Sequence, residues 1–162
     1  MSRENCPENK NKYLFCDCAE AYTGKTPFLL NVIDYLLNKG YNLLLETDLR
    51  NINVPITYKN DGSDRWVVLE KDGKLIIVQT EGDYRISFSN TYDYLSKNEV
   101  DIIICASRLD PKIKERASEL SNRYQVYFFQ HYISMEGNAP FFDDVSVENF
   151  CKIIDKLCQN MK

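Results

Sequence analysis

The residue types that hold a phosphate are gathered in one stretch, Ala19-Glu20-Ala21-Tyr22-Thr23-Gly24-Lys25-Thr26. The pattern required is Gly-x-x-x-x-Gly-Lys-[Ser/Thr], and the chain meets it everywhere but the first position, where Ala19 stands for glycine. The chemistry follows from what comes next. N–H groups at the start of a helix have no intrahelical partner and carry partial positive charge, so an anion is stabilised there. Lys25 is spaced to reach terminal phosphates, and the Thr26 hydroxyl is placed for Mg²⁺. Ala19, Thr23, Gly24, Lys25 and Thr26 are therefore the candidate nucleotide-binding residues, with Mg²⁺ and ATP or GTP as the expected cofactor. If the first position needs a left-handed backbone, alanine costs on the order of 1–2 kcal/mol there.

The elements that must position this stretch can be read in chain order. The apolar run Tyr13 to Cys18 leads in as a buried strand, and Phe28 to Leu37 leads out as an apolar helix. Pro27 falls in the first helical turn, where a missing N–H costs nothing, and Lys39-Gly40 caps the far end. Tyr41 to Glu46 is apolar enough to be a strand buried on both faces, and it ends in Glu46-Thr47-Asp48. Leu49 to Asp64 is rich in Asn and Asp and reads as a long surface loop. Trp66 to Glu70 and Lys74 to Thr80 flank Lys71-Asp72-Gly73, a strong hairpin signal. Behind the hairpin comes an acidic turn, Thr80-Glu81-Gly82-Asp83.

Beyond that turn the alternation continues. A helix is expected over Arg85 to Lys97, a strand over Asp101 to Cys105, a helix carrying Ile113, Ala117 and Leu120, and a strand over Gln125 to Gln130. A loop through Gly137 and Pro140 should lead to a last helix beginning near Ser146, with Val147, Phe150, Ile154, Leu157 and Met161 on its buried face. Strands alternating with helices predict an α/β three-layer sandwich with a mainly parallel sheet of about five strands and a β-hairpin. Residues 1–12 are polar and expected to be frayed, and 13–162 form a single domain.

With these landmarks in order, the chain resembles a P-loop NTPase, and more narrowly the small uncharacterised P-loop proteins of bacteria and their mobile elements. The resemblance rests on Thr23-Gly24-Lys25-Thr26, on the hairpin leading into Gly82-Asp83-Tyr84, and on the run Asp101-Ile102-Ile103-Ile104-Cys105-Ala106-Ser107-Arg108, and it spans residues 13 to 134. It implies nucleotide binding. A Walker-B strand ends directly in the Asp that serves the Mg²⁺ shell, whereas Leu75 to Val78 runs into Gln79 and Thr80. The acidic candidates arrive late, as Glu81 or Asp83, and Asp83 joins Thr26 as the candidate for the metal. Glu46 and Asp48 are candidates for orienting water or a substrate hydroxyl, and Arg108 for neutralising a phosphate from the rim of the sheet. Ala19 and the displaced carboxylate together point to retained nucleotide binding with slow or absent hydrolysis. The alternatives are a small-molecule or nucleotide kinase, for which Arg108, Arg116 and Arg123 are widely dispersed, and a non-catalytic interaction module with a decayed loop.

Composition narrows the field further. A formal net charge of −4 and a pI near 5.1 argue against general nucleic-acid binding, which needs concentrated Lys and Arg. No window approaches the roughly 18 apolar residues of a membrane span, and the first residues lack an apolar signal core, so a soluble, cytoplasmic protein is expected. The six cysteines are scattered, with Cys16 and Cys18 on one face of their strand, and the single histidine is His131. This suits buried free thiols better than a zinc site or a catalytic triad. A protein partner or a homo-oligomer is left open.

Overall fold

The computed structural model describes residues 11–18, 25–48, 64–80, 85–107, 111–130 and 139–161, with the backbone alone described at 25, 47, 48, 85–87, 111–114 and 139–144. The chain runs β1 (Tyr13–Cys18), α1 (Lys25–Asn38), β2 (Asn42–Asp48), β3 (Arg65–Lys71), β4 (Lys74–Gln79), α2 (Arg85–Leu95), β5 (Ile102–Ser107), α3 (Pro111–Glu119), β6 (Gln125–Phe129) and α4 (Ala139–Asn160). A short 3₁₀ turn at Leu120–Asn122 leads from α3 into β6.

One sheet contains all six strands, in the order β2-β3-β4-β5-β1-β6. The pairings of β4 with β5, β5 with β1 and β1 with β6 are parallel, whereas β3 runs antiparallel to both β2 and β4. The sheet is therefore mixed, with three of its five pairings parallel and β3 running against the other five strands. The hairpin is the cause: a two-residue turn joins antiparallel strands, and β4 must pair with β5 on its other side. Asp72 and Gly73 form that turn with φ of 53° and 79°, both left-handed as a hairpin turn of this length requires.

Alternation along the strands divides the core in two. On one face α1 and α4 pack over Val67, Leu69, Ile76, Val78, Ile102 and Ile104. On the other, α2 and α3 cover Leu14, Cys16, Val68, Ile77, Ile103 and Cys105. A buried polar relay pins α2 to its face, since Trp66 Nε1 donates to Thr91 Oγ1 at 3.0 Å and Thr91 Oγ1 donates to Gln79 Oε1 at 2.9 Å. At the end of α1, the Gly40 N–H donates to the Leu37 carbonyl and the Tyr41 N–H to that of Leu36, with Gly40 at φ 91°, the expected cap.

Two elements differ from expectation. β2 is an edge strand and not one buried on both faces: Leu43, Leu44 and Leu45 are exposed, Leu44 at 53%. An apolar run identifies a strand but not its place in the sheet. The last helix starts at Ala139, seven residues before Ser146, because Pro140 sits in the first turn, where its ring suits the helical φ and its missing N–H has no partner to lose.

Candidate functional site

The connections of the sheet locate a crevice. From β1 the chain passes through α1 to β2 at one edge, while from β5 it passes through α3 and over β1 to β6 at the other. β1 and β5 are neighbours, with Cys18 beside Ser107, so their carboxyl ends form a topological switch point, where open α/β sheets bind ligands. The chain leaves β1 at this end, and α1 begins at Lys25.

The polar side chains near the head of α1 come from three elements. Thr26 Oγ1 donates to Asp64 Oδ1 at 2.9 Å, and Thr80 Oγ1 donates to the same oxygen at 3.0 Å. The Thr80 hydroxyl, on a residue only 1% exposed, accepts the backbone N–H of Arg65 at 2.8 Å, and the Thr80 N–H donates to the Arg65 carbonyl at 2.9 Å. Asp64 precedes β3 and Thr80 follows β4, so the hairpin brings both to the carboxyl end of the parallel strands. One carboxylate thus ties the head of α1 to the hairpin's open end.

Beside this group lies a buried ion pair. Arg65 Nε is 3.3 Å from Glu46 Oε1, and both side chains are almost wholly enclosed. Register explains the contact: Glu46 lies opposite Val67 and Asp48 opposite Arg65, which makes Glu46 and Arg65 diagonal neighbours on the α1 face. The chain also buries Asp17, the charged residue within the apolar run of β1, between Ala106 and Phe129 in register.

Of the residues predicted from sequence, Thr26 and Glu46 are placed with their side chains, both at the carboxyl end of the sheet. Lys25 opens α1 and Asp48 closes β2, each described by its backbone. Ala19, Thr23, Gly24, Asp83 and Arg108 lie outside the described residues, as do His131 and Cys6. Sequence reasoning missed Asp64, Thr80 and Arg65. A signal for them was present, because counting back from the two-residue turn sets Arg65 opposite Thr80 and leaves Asp64 at that strand end. Cys16 and Cys18 do share a face, their sulfurs 3.7 Å apart, and with Cys105 and Cys151 they are buried free thiols.

The donor set suits a hard cation. A hydroxyl and a carboxylate are oxygen ligands of the kind Mg²⁺ takes, and Mg²⁺ bound with a nucleotide needs one or two carboxylates and fills its remaining positions with phosphate oxygens and water. Among the described residues no group of three His, Cys, Asp or Glu could hold a metal by itself, and no helix is long and apolar enough to cross a membrane. No known protein family, curated protein or solved structure matches the chain, so its own geometry carries the functional reading.

Proposed function

We propose that the chain is a nucleotide-binding protein of P-loop NTPase type that takes Mg²⁺ with ATP or GTP and hydrolyses it slowly or not at all. The observation that carries this reading is the position of Thr26. It ends the Gly-Lys-Thr signature, stands in the first turn of the helix leaving the sheet's switch point, and spends its hydroxyl hydrogen on a carboxylate. A hydroxyl has one hydrogen and two lone pairs, so this bond leaves Thr26 Oγ1 its lone pairs for a cation. Lys25, one residue earlier, would contact the terminal phosphates, and the N–H groups of Gly24 to Thr26 would hold the phosphate oxygens. The metal would supply neutralisation of the charge on those oxygens.

Slow or absent turnover follows from two residues. Ala19 replaces the glycine that allows the backbone its closest approach to phosphate, and β4 ends in Gln79, followed by Thr80, instead of a carboxylate. The non-catalytic interaction module has one observation in its favour, the exposed leucines of the β2 edge. Calorimetric titration with ATP, GTP and their diphosphates, followed by a turnover assay, separates these readings: binding without brisk hydrolysis is expected, and absence of binding would leave the interaction module.

A further inference from the structure

We propose that Asp64, the residue leading into the antiparallel strand β3, is the carboxylate of the Mg²⁺ site, in place of the residue at the end of β4. This rests on the nucleotide-binding reading above and assigns a metal-site residue for it. A cation held by Thr26 needs a carboxylate that can accept the threonine's hydrogen while adding negative charge to the shell. In this chain β4 ends in Gln79 and Thr80 follows it, so no carboxylate stands directly at that strand end. Thr80 instead holds one: its hydroxyl donates to Asp64 Oδ1, and its own position is fixed by the Arg65 N–H. The same Oδ1 accepts the hydrogen of Thr26. Asp64 thereby stands one strand away from the usual source yet against the threonine that binds the metal.

Two features indicate more than a structural tie. Both hydroxyls converge on Oδ1, and none of the described side chains donates to Oδ2. Among the described residues the guanidinium beside this carboxylate is that of Arg65, whose Nε lies 3.3 Å from Glu46 Oε1 and whose Nη1 donates to the Asp64 backbone carbonyl at 3.5 Å. The Glu46–Arg65 pair thus engages the strand-borne cation that neighbours Asp64. Asp83, the carboxylate expected from sequence, becomes the competing assignment.

The test uses Asp64→Asn in the full chain, because the amide oxygen can still accept both threonine hydrogens while the charge is lost. ATP and GTP are titrated calorimetrically with Mg²⁺ and again with EDTA, and melting curves check the fold. We expect Mg²⁺ to tighten nucleotide binding to the unsubstituted chain, and Asp64→Asn to lose about 10-fold or more of that tightening, the loss typical of a residue that supports a metal ligand. Binding in EDTA should be unchanged or stronger. Asp83→Asn should keep the Mg²⁺ effect. A second measurement needs no variant: Fe²⁺ in place of Mg²⁺, with ascorbate and peroxide, cuts the backbone beside the bound metal, and cuts near residues 26 and 64 are expected. An Asp64→Asn protein with the full Mg²⁺ effect, or cuts near residue 83 alone, would overturn the assignment. Nucleotide binding that Mg²⁺ does not strengthen would overturn it too, leaving the proposed binding function standing. Absence of any nucleotide binding would remove both.

Discussion

Thr26 and Asp64 are joined by a 2.9 Å hydrogen bond across 38 residues of sequence, and that bond makes the head of α1 one unit with the open end of the β3–β4 hairpin. Its stability depends on Thr80, which is buried and uses its hydroxyl both as donor to Asp64 and as acceptor from the Arg65 N–H. Thr80→Val keeps the shape and removes both bonds. It should destabilise the fold by about 1–3 kcal/mol, the cost of leaving buried polar groups unpaired, whereas Thr80→Ser should keep most of the stability. Urea unfolding of the two variants checks this; equal midpoints would show the hydroxyl to be idle.

Glu46 was a candidate for orienting water, and its placement gives that role a stability cost to be measured alongside. Glu46→Ala removes one carboxylate from a buried ion pair and should cost about 3–5 kcal/mol, the range for breaking such a pair. If the variant instead keeps its stability and alters only nucleotide chemistry, the ion pair contributes little to the fold.

One buried and one half-buried phenol predict alkaline instability. Burial raises Tyr124, whose hydroxyl donates to the Val100 carbonyl at 2.7 Å, to about 12, and burial together with the Glu119 carboxylate raises Tyr92 to about 12. A tyrosine in the unfolded chain titrates near 10. With the folded value above the unfolded one, the fold binds the proton more tightly, so the contribution is complete below about pH 10 and is lost as pH rises toward 12. Thermal melting between pH 8 and 12 should show this loss, and Tyr124→Phe should shrink its pH dependence. A melting temperature that stays level across the window would contradict it.

Ala19 offers a test of whether the loop has decayed. In a loop already fitted to alanine, Ala19→Gly should leave affinity unchanged and cost about 0.4–1 kcal/mol through the freer unfolded chain. A decayed loop should gain affinity, because more N–H groups can turn toward the anion. We expect the gain, with turnover still slow. Brisk hydrolysis by the unsubstituted chain would contradict that expectation.

Much of the fold was legible because it is local. The bounds of β1, the Asp72-Gly73 turn, the Gly40 cap and the alternation of strand and helix all follow from periodicity and turn chemistry within a few residues. What was not legible depends on partners distant in sequence. The leucines of β2 have the composition of a central strand, and only the pairing of β3 with β4 puts them at an edge. Asp64 looked like one more acid in an Asn- and Asp-rich segment, since its meaning comes from Thr26 and Thr80, each reached through tertiary structure. Pro140 misled for a different reason: proline favours both a loop and a first helical turn, and sequence spacing does not separate the two.

The central claim, that a nucleotide binds at the helix after β1, is tested most directly by calorimetric titration of the unsubstituted chain and of Lys25→Ala with ATP and GTP in the presence of Mg²⁺. Binding to the unsubstituted chain, weakened by about 1.5–3 kcal/mol in Lys25→Ala, is the predicted result, the range for hydrogen bonds to charged groups. No heat and no thermal shift with either triphosphate or its diphosphate at millimolar ligand, or equal affinity in the two proteins, would contradict it.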